Sequence, residues 1–486
     1  MSWPPAGLPA TAKTSEIEPN DKPAQAQKIT LPCDIAGRFY PAADVDTFEF
    51  TAKKGETWWV EVASERLGLN TDPFVLVQQV KKTGDTETLT DLAELSDIPS
   101  PMKVTTNGYS YDGPVYDAGS PDVNGKFEIK EDGTYRLQVR DLFGGTRNEP
   151  GNVYRLIVRQ AAPDFSLAAW AVHMTLRNGD RSALSKPIAL RAGSAMAFEV
   201  VVERRDGFEG EIELGMENLP SGVTASGLKI PAGRAVGHLI ISASGEAKSG
   251  FSLAKIFGRA TINGATVTRP CRVASMEWPV RDAKGEIPSP RLTADVPVSV
   301  TDSEQSPMSI AASENRVWEV KAGETLKIPL KVTWRDEFTG ASIKLKAYGP
   351  DFAGMKEIDI PVKAATGEVA LDLAALKTPP GEYTLALYGS AVSKYRYNPA
   401  AVALAEAAEK KAQQEAAVAA DEAKKIAATD ASAAKVAAEK QKQAEATMAE
   451  ASKRMKTATE AAAPKDTVDI FVSEPIRLVV KPADKK

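Results

Sequence analysis

The chain has 486 residues and is 43% hydrophobic, which predicts about three domains with packed cores. Its formal net charge of −5, without a basic stripe that could follow phosphates, excludes nucleic acid as a partner. No run of about 18 apolar residues occurs, so we predict no transmembrane segment. The negative charge is concentrated in residues 15–160, where 24 acidic residues face 16 basic ones, a net charge of −8.

The first feature of the chain is an acidic stretch that follows a Pro- and Ala-rich beginning. Residues 1–14 are predicted to be disordered. The sequence EIEPND then begins at Glu16. If it is extended, Glu16, Glu18 and Asn20 project to one side of the chain and Asp21 to the other. Three oxygen-bearing side chains are thereby gathered on one face.

A second acidic pair, Asp44-Val45-Asp46, precedes a predicted strand and adds two carboxylates. Calcium takes six to eight oxygen ligands, and carboxylates mixed with an amide carbonyl suit it. The two stretches therefore indicate a site for a hard cation. The alternative is a solvated acidic linker, in which Asn20 and Asp21 begin a turn after Pro19.

Residues 28–160 show the alternation of an all-β domain. Short runs of alternating apolar residues are separated by turn residues, and Asn124-Gly125 has the composition of a hairpin turn. The runs are TWWVEVA (57–63), FVLVQQV (74–80), YRLQVRD (135–141) and VYRLIVR (153–159).

Three separated segments of this region resemble a known family. They are EIEPNDKPAQAQKITLP from Glu16, DVDTFEF from Asp44, and DGTYRLQVRD at 132–141. In this order they resemble the bacterial pre-peptidase C-terminal domain, a β-sandwich module of secreted proteins such as collagenases. The resemblance covers residues 15–161 and implies a β-sandwich outside the cytoplasm, that is, secreted, periplasmic or on the cell surface. The sequence MSWPPAGLPATAKTSE lacks the pattern of a signal peptide, so we expect this chain to be the trimmed part of a longer secreted protein.

The same resemblance implies a metal site, because collagenase members hold calcium with the matching acidic linker and Asp-x-Asp region. The implied cofactor is calcium. The implied ligands are Glu16, Glu18, Asn20, Asp21, Asp44 and Asp46.

An internal repeat predicts two further sandwiches. The segments AGSAMAFEVVVERRDGFEG (192–210) and AGETLKIPLKVTWRDEFTG (322–340) align without gaps at an offset of 130 residues. We predict immunoglobulin-like modules at 162–300 and at 301–397 plus 466–482, arranged as beads on a string. The expected fold is therefore mainly β, with tandem β-sandwiches.

The second of these modules is interrupted by an Ala-rich insertion. Residues 400–463 contain 27 alanines, no Gly and no Pro, with small residues at heptad spacing. Because strand-like segments flank the insertion, its ends must lie close together. We therefore predict an antiparallel helical hairpin at 398–465, with helices of about 30 residues that break near Thr429 and Asp430. It is either a self-paired projection or an arm that binds a helix of another chain.

Nothing in the sequence predicts catalysis. The chain has two histidines, His173 and His238, in no recognisable motif, and no nucleophile elbow or phosphate-binding loop. Cys33 and Cys271 lie in different predicted domains and are expected to be free thiols, the alternative being a disulfide between the two domains if they dock.

We therefore predict a non-catalytic, extracytoplasmic protein that binds or scaffolds, with an extracellular polymer (protein or polysaccharide) or a cell-surface molecule as its partner. The alternative is the accessory, substrate-targeting region of a secreted peptidase or other hydrolase whose catalytic domain is absent from this chain.

Overall fold

The computed structural model describes residues 10–84, 86–100, 118–171, 188–227, 229–277, 289–301, 304–349, 351–427 and 431–483. These residues form mostly β-structure, in tandem β-sandwiches with one helical hairpin, which confirms the predicted fold class. No described helix is long and apolar enough to cross a membrane. Thr429 and Asp430, where the hairpin was expected to break, and His173 lie outside the described residues.

The first sandwich consists of two facing sheets, with orders β1-β3-β11-β5-β9-β8 and β2-β4-β10-β6-β7. Alternate residues of each strand point inward, and the core is rich in valine and aromatic side chains such as Phe48, Tyr135 and Tyr154. The strands are β1 (Thr14–Ser15), β2 (Gln27–Lys28), β3 (Cys33–Arg38), β4 (Asp46–Ala52), β5 (Thr57–Ala63), β6 (Pro73–Thr83), β7 (Thr86–Leu95), β8 (Asp97–Ile98), β9 (Ser120–Glu128), β10 (Gly133–Asp141) and β11 (Val153–Arg159).

Two predictions for this sandwich are wrong. Asn124-Gly125 is not a hairpin turn but the middle of β9, which pairs with β5 through Glu61 and Val60. Residues 1–9 of the segment predicted to be disordered lie outside the described residues, but residues 10–14 are part of the described structure. Thr14 belongs to β1, which pairs in parallel with Ile35 of β3. Backbone pairing with an edge strand outweighs the Pro- and Ala-rich composition at these positions.

The second sandwich has the strand order β13-β21-β18-β19-β12-β14-β17-β16, with β15 on β18 and β20 on β19. Its core includes Cys271, and both cysteines of the chain are free thiols, as expected. Its strands are β12 (Asp164–Ala171), β13 (Ile188–Leu190), β14 (Ala195–Arg205), β15 (Glu213–Glu217), β16 (Val223–Gly227), β17 (Val236–Ala243), β18 (Gly250–Ile262), β19 (Ala265–Glu277), β20 (Ser289–Thr293) and β21 (Val296–Val300).

The third sandwich has sheets β22-β24-β27 and β23-β30-β28-β25-β26, with β29 on β28. A short helix, α1 (Leu373–Leu376), is capped by the Asp372 carboxylate. The strands are β22 (Met308–Ala312), β23 (Trp318–Lys321), β24 (Thr325–Trp334), β25 (Ser342–Tyr348), β26 (Ile358–Pro361), β27 (Thr366–Asp372), β28 (Gly381–Tyr395), β29 (Lys465–Val472) and β30 (Ile476–Lys481).

The sequence repeat corresponds to a shared topology. The repeated segments contain β14 and β24, and each of these strands lies between two antiparallel neighbours. In the same way, β13 pairs in parallel with β21, and β23 with β30. The exact limits of the folding units stay a prediction.

The helical hairpin is inserted at the tip of the β28–β29 hairpin. Helices α2 (Pro399–Ala427) and α3 (Ala431–Ala461) project from there, while Tyr395 pairs directly with Lys465 at the base. The interface between the helices is formed by small side chains, including the buried Ala412, Ala416 and Ala419. The insertion therefore leaves and returns at adjacent points, as its flanking strands predicted.

The sandwiches are docked against each other, so the expected beads on a string are wrong. Ala197 and Ile240 of the second sandwich form an apolar cluster with Tyr348, Ala386 and Val472 of the third. The first and second sandwiches meet through buried ion pairs. The sequence did not predict these contacts because each joins residues that are far apart along the chain.

Candidate metal centre

The predicted ligands are positioned by a segment that crosses one edge of the first sandwich, residues 10–21, called here the N-terminal arm. The backbone N–H of Lys13 donates to Asp34 O at 3.1 Å, and that of Glu16 donates to Ala36 O at 2.9 Å, which fixes the arm to the first sheet. Farther on, Asn20 O accepts from Thr47 N of the second sheet at 3.2 Å. The arm thus connects both sheets and carries its acidic side chains over the start of β4.

Three of the six predicted ligands converge on one point. Glu16, Glu18 and Asp46 each offer a carboxylate oxygen, and these oxygens all lie within 4.8 Å of one another. Two oxygens on opposite sides of a calcium ion, each about 2.4 Å from it, are also about 4.8 Å apart. The spacing of the three carboxylates therefore fits one calcium ion.

Buried polar atoms without partners point to the same place. Asn20 and Asp46 are completely buried, and none of their side-chain oxygen and nitrogen atoms makes a hydrogen bond of good geometry with a described residue, although the polar groups of Asn20 and Tyr154 lie close to the Asp46 carboxylate. The hydroxyl of Thr47, next to Asp46, is likewise buried without a partner. Burying such groups without partners is costly. A cation bound to the oxygens would remove most of this cost.

Asp44 and Asp21 complete the acidic cluster, by which we mean the six residues Glu16, Glu18, Asn20, Asp21, Asp44 and Asp46. One oxygen of Asp44 accepts from Tyr40 N at 2.8 Å, and the other is buried without a partner. Burial, together with Asp21 and the charge of Glu18, raises the pKa of Asp44 to about 7. Asp21 therefore lies beside Asp44 and not on the opposite side of the arm.

The reason for this correction is a turn in the arm. Asn20 N donates to Glu18 Oε2 at 2.9 Å, so the chain is not extended through Pro19 as the prediction assumed. The observed turn spans Glu18 to Asn20, one step before the turn that a linker would begin at Asn20 and Asp21. Which of the two alternatives holds stays a prediction.

The electrostatics of the acidic cluster are unfavourable without a cation. Burial, and then the charges of Glu16 and Asp44, raise the pKa of Asp46 to about 9. Burial is also the main cause that raises the pKa of Glu16. Carboxylates kept this close in a buried site either take up protons or bind a cation. The donor set of carboxylates with one amide oxygen is one that calcium prefers.

Two residues that support the cluster were not predicted from the sequence. The Tyr154 hydroxyl donates to Glu16 Oε2 at 3.1 Å, and burial raises the pKa of Tyr154, which keeps it a donor. Gly37 makes room for this contact, since a Cβ there would lie 2.3 Å from both Glu16 Oε2 and Tyr154 Cζ. No local signal could have identified them, because Gly37 approaches Glu16 through the pairing of β1 with β3, and Tyr154 through the pairing of β3 with β11.

The other residues considered for chemistry do not form a site. His238 is buried between sandwiches, with its ring centroid 4.8 Å from that of Tyr348 and its Nε2 3.7 Å from Glu199 Oε2. Burial raises the pKa of Cys33 to about 12, which keeps this thiol protonated. Within the described ranges, the acidic cluster holds the one group of three metal-ligating side chains that converge.

Comparisons with known proteins find matches among solved structures alone. No family model and no curated protein matches the sequence. Among solved structures, the chain is similar to the pre-peptidase C-terminal domain of a collagenase from Bacillus anthracis (16% identity, 29% of this chain and 100% of that chain, TM-score 0.18). It is similar to a DUF4785 family protein from Legionella pneumophila (8% identity, 73% and 92% coverage, TM-score 0.16). It is also similar to domains 4–9 of the surface layer protein SbsC (15% identity, 63% and 41% coverage, TM-score 0.18). At these TM-scores the matches say nothing about function.

Proposed function

We propose that the first sandwich is a pre-peptidase C-terminal-type domain that binds one calcium ion at the acidic cluster. The observation that carries this proposal is the complete burial of Asp46 and Asn20, without partners, beside Glu16 and Glu18. Five carboxylates and one amide would supply the protein oxygens. Because the ligands come from the N-terminal arm and from the β4 region, the ion would fasten the arm to the sandwich.

The test is thermal unfolding of the chain in millimolar calcium and in chelator. A site present only in the folded protein raises the free energy of unfolding of the first sandwich by mass action, by about 2.7 kcal/mol when calcium is at 100 times the dissociation constant, and so raises its thermal midpoint. Asp46→Asn should remove this shift. In chelator the same variant should be at least as stable as the unmodified chain, because it removes the cost of protonating or charging the buried Asp46 carboxylate.

The control is Glu94→Gln, which removes an exposed carboxylate from β7 of the same sandwich. It should keep the full calcium response. Equal midpoints in calcium and chelator for the unmodified chain would refute the metal site. If calcium still raises the midpoint of Asp46→Asn, the ion binds at another site.

We propose further that the whole chain is a non-catalytic binding or scaffolding protein that acts outside the cytoplasm. Weak, millimolar calcium sites are typical of extracellular modules, where the ion is abundant. The projecting hairpin is a candidate arm for a helical partner, and its side chains Leu404, Val418 and Val436 are exposed. Co-sedimentation with insoluble protein and polysaccharide polymers, with and without residues 400–463, tests for a ligand. If the calcium-loaded chain binds neither the protein polymers nor the polysaccharide polymers, this proposal is contradicted.

A further inference from the structure

The first and second sandwiches meet at a group of buried charges, called here the first joint. Its centre is Glu61 of β5, which is completely buried. Arg205 of β14, in the second sandwich, donates to both oxygens of Glu61 at 2.7 and 2.6 Å. Two arginines of the first sandwich bind the same carboxylate, Arg66 at 2.8 Å and Arg159 at 3.1 Å.

A second contact crosses the same joint. Arg159 binds both oxygens of Asp206, which follows β14 in the second sandwich, and the nearer oxygen also accepts from Ala162 N at 2.8 Å. Within the first sandwich, the Asp122 carboxylate accepts a hydrogen bond from Arg66 Nε at 2.7 Å. Three arginines thus face three fully or largely buried carboxylates. The connecting chain from β11 to β12 is only residues 160–163.

We propose that the first joint is a rigid lock that holds the first two sandwiches in one relative orientation, so that the acidic cluster and the second sandwich move as one body. The Arg159–Asp206 pair is bidentate, and such pairs depend strongly on geometry. Any other docked orientation would leave buried charges unpaired, which is strongly destabilising. The lock therefore contributes more to orientation than to the net stability of either sandwich. It does not depend on the calcium proposal.

The electrostatics support a permanently charged lock. Burial alone would raise the pKa of Glu61, but the charges of Arg205 and Arg66 outweigh it and hold the pKa at about 2. Glu203, also at the joint, is bound by the Ser166 hydroxyl at 2.7 Å, and burial raises its pKa. The formal charges of the three arginines and the three carboxylates cancel, and Glu61 stays ionised in its pairs.

The test is a distance distribution between two spin labels in the full chain, by double electron–electron resonance. Labels are placed at the exposed positions Thr88 and Lys248 after substitution to Cys, with Cys33 and Cys271 replaced by Ala. The unmodified joint should give one narrow distance. Asp206→Asn should broaden the distance distribution. Asparagine is chosen because it tolerates the positive φ of 50° at this position.

Arg205→Met is a second, independent variant, and it leaves Glu61 bound to Arg66 and Arg159 in the first sandwich. It should broaden the distribution as well. Lys229→Met is the control, because the exposed ion pair of Lys229 with Glu211 lies within the second sandwich. The distance distribution of this variant should stay narrow. Circular dichroism confirms folding of each variant. A broad distribution in the unmodified chain overturns the proposal whatever the variants do. A narrow distribution in both folded variants also overturns it.

Discussion

At the scale of single residues, the acidic cluster depends on a residue without a side chain. Gly37 lies where β3 passes beneath the arm, and Glu16 and Tyr154 occupy the space that a Cβ would need. Glu16 also accepts from Arg38 N at 2.9 Å, so its carboxylate is held from two sides. The position of this ligand is therefore set by backbone proximity as much as by its own sequence.

We expect Gly37→Ala to push Glu16 away from the cluster. Overpacking of this kind costs about 1–3 kcal/mol of stability, and displacing one carboxylate should weaken calcium binding by about tenfold or more. Isothermal titration with calcium and urea unfolding measure the two effects. Gly133→Ala, in the same sandwich, is the matched control because nothing lies within 4 Å of the added Cβ. Calcium affinity equal to that of the control would contradict this role of Gly37.

The low pKa of Glu61 predicts that the stability of the protein depends on pH. The folded pKa of Glu61, about 2, lies below the ordinary value of 4.5. Such a carboxylate contributes stability that is complete above pH 4.5 and is lost as the pH falls toward 2, about 3 kcal/mol in total. The stability difference between the unmodified chain and Glu61→Gln should therefore narrow by about 2 kcal/mol from pH 7 to pH 3. Urea unfolding in chelator measures it.

The exposed Glu94→Gln variant should follow the unmodified chain at both pH values. A difference for Glu61→Gln that does not change with pH would mean that the arginines do not hold Glu61 ionised in the folded protein.

At the scale of elements, the two related sandwiches show how the helical hairpin was accommodated. In the second sandwich, β18 and β19 are joined by Asn263-Gly264, whose φ angles of 50° and 79° suit a two-residue hairpin turn. In the third, the equivalent strands β28 and β29 are still paired at Tyr395 and Lys465. The helices therefore replace a turn and leave the pairing of the sheet unchanged.

Replacing residues 396–464 with Asn-Gly should consequently leave the third sandwich folded, because Tyr395 and Lys465 are already in register. Thermal unfolding and circular dichroism should show the loss of the helical signal with little change in the midpoint of the β-domains. An Ala-Ala replacement is the control, since alanine disfavours the positive φ of both turn positions. It should be less stable than Asn-Gly. Collapse of the sandwich in both versions would show that the helices support its fold.

At the scale of the whole molecule, the features that the sequence predicts correctly are those encoded by local periodicity. Alternating apolar residues marked the strands, and the heptad spacing of small residues marked the two helices. The repeat marked two sandwiches of one topology. Contacts set by distant pairing escaped prediction. Glu61 and Arg205 are 144 residues apart, and Asn124-Gly125 was misassigned because pairing of β9 with β5 overrides its turn preference.

The joint between the second and third sandwiches is of a different kind from the first, and it allows the last prediction. Ala197 of β14 is completely buried against the third sandwich, where the rings of Tyr348 and Tyr388 stack with centroids 3.6 Å apart. Ala197→Glu would bury an unpaired charge in this apolar contact. We expect the two sandwiches to separate while each stays folded.

Small-angle X-ray scattering should then give a larger radius of gyration for Ala197→Glu than for the unmodified chain, with unchanged circular dichroism. Ala189→Glu, on the exposed face of β13 in the same sandwich, is the matched control and should leave the radius unchanged. Because Ala197 alternates with core residues such as Phe198, its side chain points out of the second sandwich and can be enlarged without filling that core. A folded Ala197→Glu variant with an unchanged radius would show that ion pairs at the rim, such as Arg191 with Asp469 at 2.5 Å, suffice to hold this joint.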